Sequence, residues 1–200
     1  ILEINKDQDE LLAEIYPSGN YRIDAEKLII KGEGYELKPE SSMAFRSDKR
    51  LTYRRQDVGF NPQSVAEVSP NVFRIKGWQQ VKATSPGERY VLRSYYRPTP
   101  GIFISECTNT VLENVKVHYA EGMGLVAQMS ENITLDGFSV CLKGDSDPRF
   151  FTTQADATHF SACKGLIISK NGLYEGMADD AINIHGTYLR IVKRLNNNTL

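Results

Sequence analysis

Three aspartates fall at matching places in this chain. Asp156 lies in Gln-Ala-Asp-Ala-Thr-His-Phe, and Asp179 with Asp180 in Glu-Gly-Met-Ala-Asp-Asp-Ala-Ile-Asn-Ile-His-Gly. Laid over one another, the runs Asp156-Ala-Thr-His-Phe-Ser161 and Asp180-Ala-Ile-Asn-Ile-His185 align Asp156 with Asp180 and His159 with Asn183. If these runs are neighbouring parallel strands, roughly 4.8 Å apart, the carboxylates converge. Converging carboxylates beside polar side chains are what acid/base hydrolysis of a sugar linkage requires. An inverting site would set acid and base roughly 6.5–9.5 Å apart, with room for a water. Asp156, Asp179 and Asp180 are therefore the candidate catalytic residues, and His159, Asn183 and His185 the candidate substrate-binding ones. Strict strand alternation would turn Asp180 inward with Ile182 and Ile184, so the reading requires a bend between Asp180 and Ala181. The competing reading is an Asp-Asp pair that caps a turn or holds calcium; the third acid in register weighs against it.

The elements that would position these acids show as a repeat. Gly101-Ile-Phe-Ile-Ser-Glu-Cys-Thr-Asn-Thr-Val-Leu-Glu-Asn-Val-Lys-Val117 aligns with Gly124–Val140 at an offset of 23, and Ala157–Leu173 follows at a further 33. The excess is taken up by the polar loop Lys143–Arg149, and a fourth copy begins at Ala181. Within each copy the apolar residues alternate, as in Ile102/Ile104, Val115/Val117, Ile133/Leu135, Leu166/Ile168 and Ile182/Ile184, which is the period of a strand. Short strands between Gly and Asn turns, recurring about every 23 residues, predict a solenoid in which each strand pairs in parallel with its equivalent one coil later. The expected fold is all-β: a parallel β-helix over residues 98–200, and a small β-rich insert or subdomain over residues 1–97.

The first half carries strand-like runs at Val72–Ile75 and Tyr90–Leu92 and alternation over residues 20–40, with turn signals at Ser69-Pro70, Ser85-Pro86-Gly87 and Arg97-Pro-Thr-Pro100. The single Trp78 is read as a core or hinge residue rather than a sugar platform. Arg46, Lys49, Arg50, Arg54 and Arg55, with Phe45 and Tyr53 between them, are read as a solvated hairpin face. Asn132-Ile-Thr and Asn197-Asn-Thr fit glycosylation acceptors, but Asn at matching turns is read as a hydrogen-bonding ladder.

Composition excludes several partners. Lys plus Arg number 24 against 25 Asp plus Glu, a net charge of -1, so no global field draws nucleic acid or an anionic bilayer. Nowhere do 18 uncharged apolar residues follow one another, so no membrane insertion is expected. Cys107, Cys141 and Cys163 lack Cys-x-x-Cys spacing and are read as small buried hydrophobes; His118, His159 and His185 form no two-His motif, so no metal and no cofactor are expected. The first residues show no signal peptide, and the chain is read as cut from a longer polypeptide at both ends.

The stretch from Gly101 to Arg190, through Tyr119-Ala-Glu-Gly-Met-Gly, Ala127-Gln-Met-Ser, Phe151–Phe160 and Gly172–Gly186, resembles glycoside hydrolase family 110, the bacterial exo-acting α-1,3-galactosidases. The resemblance implies a right-handed parallel β-helix and inverting removal of terminal α-1,3-linked galactose from blood-group-B-type or linear α-galactosyl glycans. It also implies a secreted or periplasmic enzyme. The acid layout is similar to that of polygalacturonases. By that likeness Asp179 is the general acid, while Asp156 and Asp180 hold and deprotonate the water. A polygalacturonase-like hydrolase, a β-helix polysaccharide lyase or epimerase, and a non-catalytic glycan-binding solenoid remain alternatives; the oligomeric state is open.

Overall fold

The structure, a computed structural model, describes residues 1–32, 34–48, 57–188 and 190–199. The protein is all-β, and the chain divides into two compact units, Ile1–Tyr96 and Arg97–Leu200. Among the described residues the one helical element is the 3-10 turn Val81–Ala83. Of the basic cluster, Lys49, Arg50, Arg54 and Arg55 lie outside the described residues.

The first unit is built from β1 (Glu3–Asn5), β2 (Glu10–Glu14), β3 (Tyr21–Asp24), β4 (Lys27–Gly32), β5 (Tyr35–Leu37), β6 (Ser41–Phe45), β7 (Val58–Gly59), β8 (Ser64–Ser69), β9 (Val72–Lys76) and β10 (Arg89–Arg93). They pair antiparallel in three sheets, ordered β1-β2-β9-β8, β10-β6-β7 and β3-β4-β5. Strand β9 shows why: Phe73 and Ile75 are buried while Arg74 and Lys76 are exposed, the alternation that one buried face produces. Strands β1, β2, β6, β7 and β8 escape the sequence reading. Strand β2 puts Leu11 and Ala13 into the core between charged ends. Strand β6 is buried along its whole length although it starts Ser-Ser, because Ser41 donates to Asp57 and Ser42 to the Val58 carbonyl. Trp78 is 1% exposed, donates its indole N–H to the Gly59 carbonyl and packs edge-on against Phe60 and Tyr90. It is a core residue.

The second unit comprises β11 (Ile102–Ser105), β12 (Thr108–Glu113), β13 (Lys116–Val117), β14 (Leu125–Gln128), β15 (Glu131–Asp136), β16 (Ser139–Val140), β17 (Thr158–Ser161), β18 (Lys164–Lys170) and β19 (Ile182–His185). All its strand pairs are parallel, in sheets ordered β11-β14-β17-β19, β12-β15-β18 and β13-β16. Ile102 pairs with Leu125, Leu125 with Thr158, and Thr158 with Ile182, so each round of the chain meets the next at the offsets of 23, 33 and 24 legible in the sequence. Ile104, Leu125, Ala127, Ile133, Leu135, Phe138, Val140 and Phe160 share one core. The loop that lengthens the third round is pinned by Asp147. Its carboxylate accepts from the Lys143 and Arg149 backbone N–H groups and pairs with the Arg149 guanidinium at 2.6 Å.

Two expectations are corrected. The offset of 33 does not hold to Leu173: Glu131 pairs with Lys164 but Ile133 with Ile167, so one extra residue enters at Gly165-Leu166. Gly165 takes φ +70°, and a Cβ there would strike the Asn132 side chain, whose Oδ1 accepts from the Leu166 N–H. The bulge sends Leu166 and Ile168 outward and puts Ile167 against the core instead. Cys107 is exposed, with only Cys141 buried and Cys163 half-buried. It follows Glu106, whose φ of +53° makes a turn at the surface. Ile182 and Ile184 stand in register with the buried Thr158 and Phe160, on the face the alternation predicts, and β19 is the edge strand of its sheet.

Candidate active site

Backbone registration builds the site. The N–H groups of Gly101, Gly124 and Ala157 donate to the carbonyls of Met123, Asp156 and Asp180 at 2.9, 2.9 and 2.8 Å, which stacks Met123, Asp156 and Asp180 in one column. The chain bends at the residue that follows each of these, Gly124, Ala157 and Ala181, before it enters β14, β17 and β19. That is the bend the sequence reading required. Asp179 and Asp180, just before the bend at Ala181, are exposed. Asp156 is 3% exposed. One oxygen from each of the three carboxylates lies within 4.8 Å of the other two. The separation is tighter than the roughly 6.5–9.5 Å between carboxyl groups of a two-acid inverting site.

Each acid has a different neighbour. Asp156 Oδ2 meets His159 Nδ1 at 2.6 Å, three residues on, where the chain has just entered β17. Asn183, in the equivalent place on β19, donates to Asp180 at 3.3 Å. Arg97 donates to Asp179 Oδ2 at 3.3 Å, a pair between partly exposed side chains. His185 reaches His159, nitrogen to nitrogen, at 2.8 Å. The three candidate catalytic residues and the three candidate substrate-binding ones are thus all brought together, and His159, Asn183 and His185 are engaged with the acids or with one another. Sequence reasoning missed two residues. Arg97, separated from Asp179 by 82 positions, was hidden in a Pro-rich linker with no spacing to betray it. Tyr188 stacks on His185 with centroids 4.9 Å apart and is otherwise open to solvent, offering the flat apolar face that suits a sugar ring. Nearer the start of the second round, burial pushes the Tyr119 phenol and the Glu121 carboxyl up.

The three carboxylate oxygens are close enough to share a cation. Arg97 and His159 place donors on one oxygen each of Asp179 and Asp156, charge-assisted contacts that suit acids used in proton chemistry, and the other oxygen of each carboxylate stays open.

Comparison with known proteins bears on both units. Residues 1–88 match the family model of the GLAA-B β-barrel domain I. Across the whole chain, a protein of Parabacteroides distasonis named α-1,3-galactosidase B is 58% identical over 94% of this chain and 31% of its own length. A protein of the same name from Phocaeicola vulgatus is 53% identical over 98% of this chain and 33% of its own, and one from Akkermansia muciniphila 34% identical over 96% and 24%. The likeness is therefore not confined to residues 101–190, where the motifs suggested it. The chain spans about a quarter to a third of the length of these curated relatives. By its sequence, the chain belongs to the α-1,3-galactosidase family that its Asp-bearing motifs pointed to.

Proposed function

We propose that the chain carries the catalytic acids of an exo-acting α-1,3-galactosidase that removes terminal α-1,3-linked galactose from glycans with inversion at the anomeric carbon. The observation that carries this reading is the meeting of Asp156, Asp179 and Asp180 within 4.8 Å, on a chain whose relatives are named for that activity. The rounds of residues 98–200 are read as coils of a right-handed parallel β-helix, and residues 1–97 as a separate β-rich domain. Parallel pairing throughout the second unit supports the first of these. The hand follows from the strong preference of parallel crossovers for right-handed connections. A secreted or periplasmic place of action goes with a glycan substrate.

Asp156 and Asp180 occupy equivalent places one coil apart, and a pair of like position suits a shared task. An O–H···O bond spans about 2.7 Å, so one water, its O–H arms about 105° apart, bridges oxygens roughly 4–5 Å apart. The pair therefore holds and deprotonates the attacking water, while Asp179, also within 4.8 Å of both, stands nearer its bases than the roughly 6.5–9.5 Å of a two-acid inverting site. Asp179 comes from the neighbouring backbone position with a different partner and protonates the leaving oxygen. The water oxygen bonds to the anomeric carbon as the glycosidic bond breaks, which inverts the centre in one displacement. Arg97 holds Asp179 in the free site; a partly exposed ion pair is worth about 0–1 kcal/mol, little enough for an incoming sugar to loosen.

The test is turnover of an α-1,3-galactosyl disaccharide by Asp156→Asn, Asp179→Asn and Asp180→Asn in the protein at its natural length. Each substitution should lower kcat by about 10³ or more without moving the unfolding midpoint. Proton NMR should show the β-anomer of galactose first, and a chelator should leave the rate unchanged. Wild-type turnover in any of the three variants would remove that acid from the mechanism; loss of turnover in chelator would favour the calcium-dependent alternative.

A further inference from the structure

From Asp156 to Gly186 the side chains form one unbroken line of hydrogen bonds. Asp156 Oδ2 meets His159 Nδ1 at 2.6 Å, His159 Nε2 meets His185 Nε2 at 2.8 Å, and His185 Nδ1 meets the Gly186 carbonyl at 2.6 Å. The two imidazole planes stand at 78° with centroids 4.8 Å apart, an end-on contact through the nitrogens and not a stack. A carbonyl oxygen only accepts, so the hydrogen of the last bond belongs to His185 Nδ1. Each of the other two bonds needs a hydrogen of its own. The line requires three hydrogens, and two neutral imidazoles carry two; the third sits on Asp156 or on the rings, and an Asp156 that is to act as a base is ionised, which leaves it on the rings.

We infer that His159 and His185 hold one proton beyond that of two neutral rings and act on Asp156 as a single cationic unit, which makes His185 a positioning residue for a base it does not touch. The inference rests on the reading of Asp156 as a water-activating base. Asp156 is almost wholly buried, and a lone carboxylate taken out of water is costly unless it is paired and hydrogen-bonded. The adjacent ring supplies both, and it ties down Oδ2 so that Oδ1 is left to take the water's proton. The charged and titratable groups around the rings are Asp156, Asp179 and Asp180, the Arg97 guanidinium behind Asp179, and the Tyr188 phenol stacked on His185. Across the sheet, β14 presents only Val126 and Gln128 to His159 and Ser161. Three carboxylates against one guanidinium leave a negative balance that the extra proton reduces.

Imidazole 1H–15N correlation spectra of the natural-length protein at neutral pH test the proton count, with His159 and His185 assigned from His159→Asn and His185→Asn. Three protonated nitrogens among the four are expected; two neutral rings overturn the inference. In kinetics, His185→Asn should lower kcat about 10- to 100-fold with KM within about twofold, the size of effect that loss of an orienting partner produces. The double variant should be little worse than His159→Asn alone, because the rings act as one. External imidazole should restore part of the rate to His185→Gly. A rise in KM at unchanged kcat would make His185 a sugar contact and defeat the inference. Undiminished turnover in Asp156→Asn would instead defeat the base assignment, and the spectra separate that failure from this one.

Discussion

The rounds headed by Gly101 and Gly124 and those headed by Ala157 and Ala181 follow one backbone path but are not built alike. Before the bend stand Pro100 and Met123 in the first two and Asp156 and Asp180 in the last two. At the bend itself the first two have no room for a side chain. A Cβ on Gly101 would come within 2.8 Å of the Gly124 carbonyl oxygen, and one on Gly124 within 2.6 Å of the Ala157 oxygen and 2.8 Å of a Val140 methyl. Ala157 and Ala181 carry a methyl at that place. The next bond along gives a reason: the N–H groups of Ile102 and Leu125 reach the following round at 3.0 and 2.9 Å, but that of Thr158 reaches the Ala181 carbonyl at 3.2 Å, helped by its own hydroxyl at 3.1 Å. Only that one bond is longer, for the Ala157 N–H reaches the Asp180 carbonyl at 2.8 Å, as close as its counterparts at Gly101 and Gly124. Glycine bends without room for a side chain head the first two rounds, and alanine bends head the two that carry the acids.

That contrast is broken most directly at the bend. Gly124→Ala forces a methyl against backbone that cannot rotate away, and should cost about 3 kcal/mol, the upper part of the range for overpacking. Ala157→Gly loses a small buried group and some chain stiffness, and should cost about 1 kcal/mol. Urea unfolding of both variants measures the asymmetry. Equal losses would mean the two kinds of round are equally tight.

A smaller effect should come from the loop that separates the two kinds of round. Asp147 is buried, and its carboxyl is held far below the usual carboxylate range, first by the Arg149 side chain and then by the Lys143 backbone N–H. Asp147→Ala strands Arg149 without its carboxylate; since Arg149 is itself partly exposed, the cost should be about 2 kcal/mol rather than the 3–5 of a fully buried pair. A depressed carboxylate contributes stability that is complete above its unfolded value, roughly pH 4, and is lost as pH falls through the folded one. The gap between wild type and variant should therefore be full at pH 7 and narrow below about pH 4. A gap independent of pH would assign the loss to packing alone.

How much of this was legible differs between the units for a physical reason. Parallel rounds repeat their inward pattern, at offsets of 23 and 33 for Ile104, Ala127 and Phe160, so these residues disclose one another, and the next offset of 24 put Asp156 under Asp180. Antiparallel hairpins carry no such echo. Strand β6 was illegible because its buried serines are satisfied by partners, Asp57 and Val58, that no local pattern names. Within the site, the acids and the residues three positions after them were visible as spacing. Arg97 was not, because a contact made across 82 residues leaves no trace in either local sequence. Nor could spacing show that the histidines address Asp156 and each other, since hydrogen-bond direction belongs to side-chain torsions. The bulge at Gly165-Leu166 was missed because one inserted residue leaves the apolar run Leu166-Ile167-Ile168 looking equally good in either register.

The smallest test concerns the asparagines that tie the glycine-headed rounds to the alanine-headed ones. Asn109 and Asn132 both sit at positive φ, +56° and +55°, a conformation Asn tolerates better than most residues. Asn132 donates to Asn109 Oδ1 at 3.1 Å and accepts from the Leu166 N–H at 3.0 Å, so it bonds to the rounds on both sides. Asn109 is bonded through its side chain to one. Glycine keeps the backbone angle and removes only the amide, which isolates the hydrogen bonds from the strain. With each exposed bond worth about 0.5–1 kcal/mol net, Asn132→Gly should cost about 1 kcal/mol and Asn109→Gly about half that. If the two cost the same, the ladder holds nothing across the bulge, and the register of β18 depends on Ile167 in the core alone.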